Sequence, residues 1–214
     1  MTSNSLSESH IAAIVRQHDP AVYTKSFPAR DASDLPFDPM VMPPDLPVIP
    51  DANFYIYRLQ RKVPSQILDF VAGRNVIHSG IACSEMTTAV GILDPAHSKT
   101  PDSSAPIVQL LETIDTAGMV VPSGTAWAEA GMIAGILART QLLSRSKKEM
   151  SPVEYCCERG RRRELLHDVL LYLTALENDA ILVTANAKDI DLVRRIKPGA
   201  HVLFYWPLEK AAAV

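Results

Sequence analysis

Cysteines are few in this chain: only Cys83, Cys156 and Cys157 are present. Three thiols do not make a disulfide framework, and the adjacent pair Cys156-Cys157 lacks the Cys-x-x-Cys spacing of zinc and redox sites. Reduced thiols are therefore expected, and they are typical of cytoplasmic proteins. The cysteine content predicts a cytoplasmic protein without structural disulfides.

Long apolar runs are missing as well. No stretch reaches the roughly 18 consecutive apolar residues that a membrane-spanning helix needs. The first residues, Met1–Ser5, contain neither the basic nor the apolar segment of a signal peptide. We therefore expect no membrane partner.

Two further absences narrow the classes of function. The sequence has neither a Gly-x-Gly-x-x-Gly motif nor a phosphate-binding loop, which argues against dinucleotide and nucleoside-triphosphate binding. The net charge of -3 gives the whole chain no attraction to nucleic acid. Residues 137–166 are an exception, with eight Lys or Arg against four Glu. A solvated helix face is the simplest interpretation of this stretch, and steering of a phosphate backbone is the alternative.

Proline is concentrated near the N-terminus. Residues 28–50 contain seven of the sixteen prolines, a density that excludes a helix and favours extended chain. We interpret residues 1–45 as a proline-rich N-terminal extension that contributes little to the core, and residues 46–214 as one domain. A short amphipathic helix over residues 9–15 could dock onto the domain or a partner, or cover the acidic site. A passive tail is the favoured interpretation.

Beyond residue 46, strand-like and helix-like patterns alternate. Strands are predicted near residues 46–51, 75–78, 118–122, 180–184 and 201–205, with helices between them and a loop over residues 94–106. Strands that alternate with helices are typical of a parallel sheet. The sequence therefore predicts an α/β fold with a parallel sheet of about five strands and helices on both faces.

Four carboxylates occupy positions that would suit a metal site. Asp51 and Asp189 follow strand-like runs, whereas Glu85 and Asp168 fall on predicted flanking helices. Side chains at strand ends can reach the crevice beyond the carboxyl edge of a parallel sheet. Several carboxylates together would bind Mg²⁺ or Mn²⁺, which are hard cations that prefer oxygen ligands.

Each of the four acids also has an ordinary structural interpretation. Asp51 could cap the following helix, and Glu85 could lie in a first helical turn. Asp168 could pair with Arg161 or Arg163. Asp189 could cap or begin the last helix.

The order of the motifs resembles that of a known family. The motifs are Asp51-Ala52-Asn53, the serine-led segment from Ser79 to Glu85-Met86, the helix segment Ala126–Gly131, Asp168, and Leu182-Val183-Thr184-Ala185-Asn186 followed by Asp189. Separations of 34 residues from Asp51 to Glu85 and 21 from Asp168 to Asp189 fit the pattern. Over about residues 46–206 the chain resembles PIN-domain ribonucleases, particularly the VapC-like toxins of bacterial toxin–antitoxin pairs.

This resemblance implies divalent-metal-dependent cleavage of RNA. It implies that Asp51, Glu85, Asp168 and Asp189 are the catalytic residues and the ligands of Mg²⁺ or Mn²⁺. Thr184 and Asn186 would orient a carboxylate or a phosphate through hydrogen bonds. Asn186 could equally have only a structural role in the turn after the strand. RNA is the implied substrate, contacted by Arg161, Arg162 and Arg163. A cognate antitoxin and a second copy of the chain are the implied protein partners.

Two other functions stay open. A housekeeping PIN nuclease would process RNA without an antitoxin. The chain could also be a non-catalytic α/β module that binds a protein or nucleotide, in which case the spacing of the four acids would be due to chance. Binding of a divalent metal separates these classes, because only a metal site gains stability from the cation.

Four further side chains are candidates for the site. His167 is expected on the surface, because adjacent helical residues point in different directions. Glu164 lies one turn before Asp168 and is the better additional ligand, although an exposed ion pair is its ordinary role. Trp127 and Trp206 are expected in the core or an interface, since neither lies in a basic aromatic cluster.

Overall fold

The structure is a computed structural model that describes residues 10–94, 96–143, 151, 153–154 and 161–209. The chain starts with helix α1 (His10–Gln17) and three short 3-10 turns at Pro20–Val22, Ala32–Asp34 and Pro39–Val41. The strands are β1 (Val48–Pro50), β2 (His78–Ser79), β3 (Met119–Val120), β4 (Ile181–Thr184) and β5 (His201–Phe204). The later helices are α2 (Ala52–Leu59), α3 (Ser65–Ala72), α4 (Gly80–Gly91), α5 (Thr100–Glu112), α6 (Gly124–Leu143), α7 (Arg161–Glu177) and α8 (Ala187–Ile196).

All strand pairs in the described ranges are parallel, as the alternation of strands and helices predicted. Strands β1, β4 and β5 form a three-stranded sheet in the order β1-β4-β5, and β2 pairs with β3 in a separate two-stranded sheet. A single bridge between Val48 and Val76 links the two sheets. It rests on hydrogen bonds from Val48 N to Asn75 O and from Ile77 N to Val48 O, both 2.9 Å long. The α/β class is confirmed, whereas a continuous sheet of about five strands is not observed.

Helices pack on both faces of the three-stranded sheet. Ile49, Leu182 and Phe204 point into a core formed with α6, α7 and α8. Their neighbours in sequence, including Val48 and Val183, point into a second core formed with α2, α3 and α4. This division follows from the geometry of a strand, in which successive side chains point to opposite faces. Strands that are buried on both faces are mostly apolar. All four residues of β4 are buried, and Thr184 at its carboxyl end is the polar exception.

The prediction of a loop over residues 94–106 is wrong in its second half, because α5 begins at Thr100 and contains both Pro101 and Pro106. Proline is tolerated in the first turn, where its missing N–H would have no partner within the helix. Pro106 removes one further backbone donor, and the helix continues around it to Glu112. Proline content was therefore a poor guide to the start of this helix.

The N-terminal extension packs against the domain over its described part. Ile14 and His18 are buried, with exposed fractions of 6% and 1%. Four aromatic and apolar side chains of the extension pack partly buried against the core, namely Tyr23, Phe27, Leu35 and Phe37. Phe204 N, in β5, donates a hydrogen bond of 2.9 Å to Pro36 O. Of the described residues of the extension, only Ile14 is among the buried hydrophobic residues, so its small contribution to the core is as expected. The extension is nevertheless docked on the domain and is not a loose tail. The domain boundary near residue 46 stays a prediction.

Arginine side chains of the domain hold the irregular backbone of the extension. Arg139 Nη2 donates to Pro20 O at 2.6 Å and to Tyr23 O at 3.1 Å. Arg195 Nη1 donates to Pro28 O at 2.7 Å. Tyr23 O and Pro28 O lie outside any helix or strand, so these bonds satisfy their carbonyl groups, whereas Pro20 O also accepts a hydrogen bond from Tyr23 N. None of the helices within the described ranges has the length and apolarity of a membrane span.

Candidate active site

One cleft of about 400 Å³ is lined by all four of the acids that the sequence indicated. It opens at the carboxyl ends of β1 and β4, where the chain leaves the sheet and enters α2 and α8. Its lining includes Asp51, Glu85, Asp168 and Asp189, together with Thr184, Asn186, Arg163, Glu164 and His167. The sheet therefore brings together acids that are up to 138 positions apart in the sequence.

Asp51 serves both the helix and the cleft. Its Oδ1 accepts a hydrogen bond of 2.6 Å from Phe54 N, which caps α2. Its Oδ2 accepts a hydrogen bond of 2.6 Å from the hydroxyl of Thr184. The residue is only 3% exposed. Burial raises the pKa of Asp51 from 3.8 to about 6, although both of these hydrogen bonds oppose the rise. The capping role and a place in the cleft are thus compatible.

Asn186 connects two of the acids. Its Nδ2 donates to Asp168 Oδ1 at 3.0 Å, and its Oδ1 accepts a hydrogen bond of 3.3 Å from Asp189 N. The second bond caps α8 at its N-terminus. Asn186 therefore does more than complete the turn after β4, because the same amide group holds the Asp168 carboxylate.

The electrostatic surroundings of Asp168 are acidic. Burial is the largest cause that raises its pKa well above the usual range, and the negative charges of Asp189, Glu85 and Asp51 raise it further. The hydrogen bond from Asn186 acts in the opposite direction. No salt bridge joins Asp168 to Arg163 among the described side chains, and that of Arg161 lies outside them. The cleft thus concentrates negative charge that a bound cation would neutralise.

Glu85 has a partner that the sequence interpretation missed. His167 Nδ1 lies 3.1 Å from Glu85 Oε1, and both side chains line the cleft. The expectation of a surface role for His167 is therefore wrong. Glu164 also lines the cleft, and its side chain is exposed. His167 carries no signal in the sequence beyond its position next to Asp168. Two adjacent residues of one helix can both reach a wide cleft.

The carboxylate oxygens of the cleft are of the type that binds a hard cation, but they are not arranged around a single point. Carboxylate oxygens are the ligands that Mg²⁺ and Mn²⁺ prefer, and each carboxylate offers about four lone-pair directions. Within the described ranges, however, no three His, Cys, Asp or Glu side chains are close enough together to hold one metal ion. Thr184, Asn186 and His167 each hold an acid of the cleft. The cleft thus has the residue types of a metal site, but its described acids do not converge closely enough to coordinate one ion.

The basic stretch contributes one described arginine to this cleft. Arg163 is exposed and lines the cleft beside Glu164. The side chains of Arg161 and Arg162 lie outside the described part of the chain, as do residues 144–150 and 155–160. Contact between these other basic residues and RNA stays a prediction.

Comparisons of the chain with protein-family models, with characterised proteins and with solved structures found no match. The resemblance to PIN-domain nucleases therefore rests on the motifs of the sequence alone.

Proposed function

We propose that the chain is a divalent-metal-dependent ribonuclease with a PIN-like fold, which cleaves RNA endonucleolytically as the toxin of a VapBC-type toxin–antitoxin pair. The observation that carries the nuclease proposal is the shared cleft of Asp51, Glu85, Asp168 and Asp189. These are the acids that the resemblance assigns to catalysis. The toxin role rests on the resemblance of the motifs, and a cognate antitoxin and a homodimer follow from it.

The strand connections support the PIN-like part of the proposal. The bridge between Val48 and Val76 brings the chain just before β2 alongside β1. If this bridge is counted, the parallel strands follow the order β3-β2-β1-β4-β5. That order would be one sheet of five strands, interrupted between β1 and β2, where the bridge lies just before β2. The acids then lie at the carboxyl edge of its central strands, where open α/β sheets bind ligands.

The charge of the cleft supports a metal-dependent activity. Five acids line it, counting Glu164, and two of them, Asp51 and Asp168, have raised pKa values because of burial and repulsion from neighbouring carboxylates. A cleft that repels anions cannot by itself accept a phosphodiester. Mg²⁺ or Mn²⁺ would be held by Asp51, Glu85 and Asp168, with Asp189 as a further ligand or a ligand through water. When bound, the cation would neutralise phosphodiester oxygens and lower the pKa of the attacking water.

The remaining side chains would position the acids and the substrate. Thr184 and Asn186 fix the carboxylates of Asp51 and Asp168 through the hydrogen bonds described above, which limits their rotation. Such supporting contacts hold ligands in place and are commonly worth about 10- to 100-fold in metal affinity or activity. Arg163, exposed beside the cleft, would attract the phosphate backbone. The chain's own residues thus orient ligands and guide RNA.

Cleavage of RNA on a denaturing gel tests the proposal. Mixed RNAs are incubated with the protein and Mg²⁺, Mn²⁺ or EDTA. We expect cleavage with either metal, loss of cleavage in EDTA, and strong loss in Asp51→Asn and Asp168→Asn, which keep the shape of the side chain and remove its charge. Asp69→Asn is the matched control, because Asp69 is exposed on α3 and does not line the cleft. Full cleavage by both cleft variants would exclude the mechanism.

A further inference from the structure

A second cavity, also of about 400 Å³, lies between the N-terminal extension and α8. Its lining is mostly apolar, with a few polar groups among apolar and aromatic walls. The lining includes Phe27 and Arg30 from the extension, Gln141 from α6, Lys188 and Leu192 from α8, and Trp206 after β5. A cavity of this size with a small number of polar groups is typical of a binding site for a small organic group.

The second cavity is adjacent to the acidic cleft. Helix α8 lines both spaces. Asp189 and Ile190 line the cleft, and the second cavity is lined by Ala187, Lys188, Asp191 and Leu192. The spacing of three to four residues places each set on its own face of the helix. Gln141, in the second cavity, donates from Nε2 to Asp189 Oδ1 at 3.5 Å. The two spaces are thus separated by the first turns of one helix, a width of about 10 Å.

The charge at the second cavity favours an anionic or phosphate-bearing ligand. Asp191 is buried, and its carboxylate accepts hydrogen bonds from both Arg30 and Arg195. Lys188 is exposed at the lining and adds a further positive charge. The cations around this cavity therefore outnumber its single carboxylate, in contrast to the acidic cleft on the other side of α8.

Trp206 provides an aromatic surface at the second cavity. It stacks on Phe37 with ring centroids 4.9 Å apart, yet it is 58% exposed. Trp127 is 47% exposed as well, so neither tryptophan lies in the core, and the alternative expectation of an interface stays a prediction. Exposed aromatic side chains beside cations are the usual elements on which unpaired bases of single-stranded nucleic acid stack.

We propose that the second cavity binds one base of the RNA strand that is cleaved in the acidic cleft, and that the extension thereby sets base preference next to the cut. The inference rests on the proposed ribonuclease function. The base enters between Phe27 and Trp206, Gln141 offers an amide to its polar edge, and Arg30 and Lys188 contact the adjoining phosphate. The extension is then part of the substrate site, because it supplies one wall of the cavity.

Tryptophan fluorescence tests base binding without any cleavage. The chain has two tryptophans, so Trp127→Phe leaves Trp206 as the reporter. This variant is titrated, in EDTA, with the four nucleoside 5′-monophosphates and with ribose 5-phosphate. We expect saturable quenching by at least one nucleotide and none by ribose 5-phosphate. Absence of saturable quenching, or equal quenching by the sugar phosphate, would overturn the proposal.

A pair of substitutions in the extension locates the binding. Ala29 is exposed and lines the second cavity, whereas Ala21 is exposed in the same segment and does not line it. In the Trp127→Phe background, Ala29→Phe fills part of the cavity and is expected to weaken nucleotide binding about ten-fold, which is the order of one lost stacking contact. Ala21→Phe should bind as the parent does. Equal affinities of the two variants would contradict the assignment of the cavity.

The cleavage pattern then links base binding to the substrate. Ala29→Phe should change which bases flank the cut sites in a mixed RNA, and Ala21→Phe should leave them unchanged. An unchanged pattern in Ala29→Phe would overturn the role of the cavity in substrate choice. Absence of any cleavage by the parent chain would instead refute the nuclease function, while the nucleotide titration alone still decides whether the cavity binds a base.

Discussion

The hydroxyl of Thr184 donates a hydrogen bond of 2.6 Å to Asp51 Oδ2, and so joins the carboxyl end of β4 to that of β1. Both residues are buried. The same hydroxyl accepts a hydrogen bond of 2.9 Å from Asn186 N, which begins the turn into α8. One side chain therefore fixes the carboxylate of Asp51 and the start of the segment that carries Asn186 and Asp189.

Removal of this hydroxyl should impair metal binding more than folding. Thr184→Val keeps the shape but leaves Asp51 Oδ2 with only the longer hydrogen bond of 3.5 Å from Asn53 Nδ2. We expect metal affinity and cleavage to fall by about 10- to 100-fold. Thr184→Ser retains the hydroxyl and should retain most of both. Mn²⁺ affinity and RNA cleavage rates measure the effect. Equal activity of the valine and serine variants would show that this hydrogen bond has no part in the site.

The raised pKa of Asp51 predicts how stability depends on pH in the absence of metal. Between its ordinary value of 3.8 and its folded-state value of about 6, the folded chain keeps the proton and the unfolded chain loses it. The contribution of Asp51 to the free energy of unfolding must therefore fall as pH rises through this window. For a shift of this size the loss is on the order of 3 kcal/mol.

Urea denaturation in EDTA at pH 4 to 7 measures this dependence. Asp51→Asn has no proton to lose at residue 51, so its stability relative to the unsubstituted chain should increase as pH rises. A difference between the two proteins that stays constant with pH would contradict the raised pKa. Asp69→Asn again serves as the control for a loss of surface charge.

Two substitutions separate the two roles of Asn186. Asn186→Ser can still cap α8, because serine is a good N-cap residue, but its short side chain cannot reach Asp168. We expect cleavage to drop about 10-fold with little change in melting temperature. Asn186→Ala loses the cap as well and should also be destabilised by about 1 kcal/mol. A serine variant with full activity would reduce Asn186 to a helix cap.

Arg163 should contribute to the salt dependence of RNA binding. Each phosphate that a side chain neutralises releases counterions, so the loss of one contact lowers the slope of log affinity against log salt by about 0.7 for a single strand. We expect this change in Arg163→Ala, measured by fluorescence anisotropy with a labelled RNA and the inactive Asp51→Asn background. Arg58→Ala is the control, since Arg58 is exposed and does not line the cleft. Identical slopes for the two variants would show that Arg163 does not contact a phosphate of the RNA.

Local sequence patterns predicted the framework of the site. Asp51 follows an apolar run and Asp189 follows another, so a parallel sheet had to bring both to one edge. The spacing of Glu85 and Asp168 placed them on helices that flank this edge. These inferences needed only the spacing of apolar residues in strands and helices, which can be recognised from residues close together in the sequence.

Contacts between distant segments could not be predicted in this way. His18 Nε2 lies 2.6 Å from Glu129 Oε1, across 111 positions, and Arg30 pairs with Asp191 across 161. No local period indicates such pairs, so the extension was taken for a passive tail. The contact between His167 and Glu85 could not be predicted either, because it depends on how α4 and α7 pack.

Calorimetric titration with Mn²⁺ tests the central claim most directly, since the nuclease proposal requires a cation at the carboxylates of the cleft. The unsubstituted chain should bind Mn²⁺ saturably, with at least one ion per chain, and the double variant Asp51→Asn with Asp168→Asn should lose this binding while remaining folded. Absence of Mn²⁺ binding by the unsubstituted chain, or equal binding by the double variant, would contradict the account.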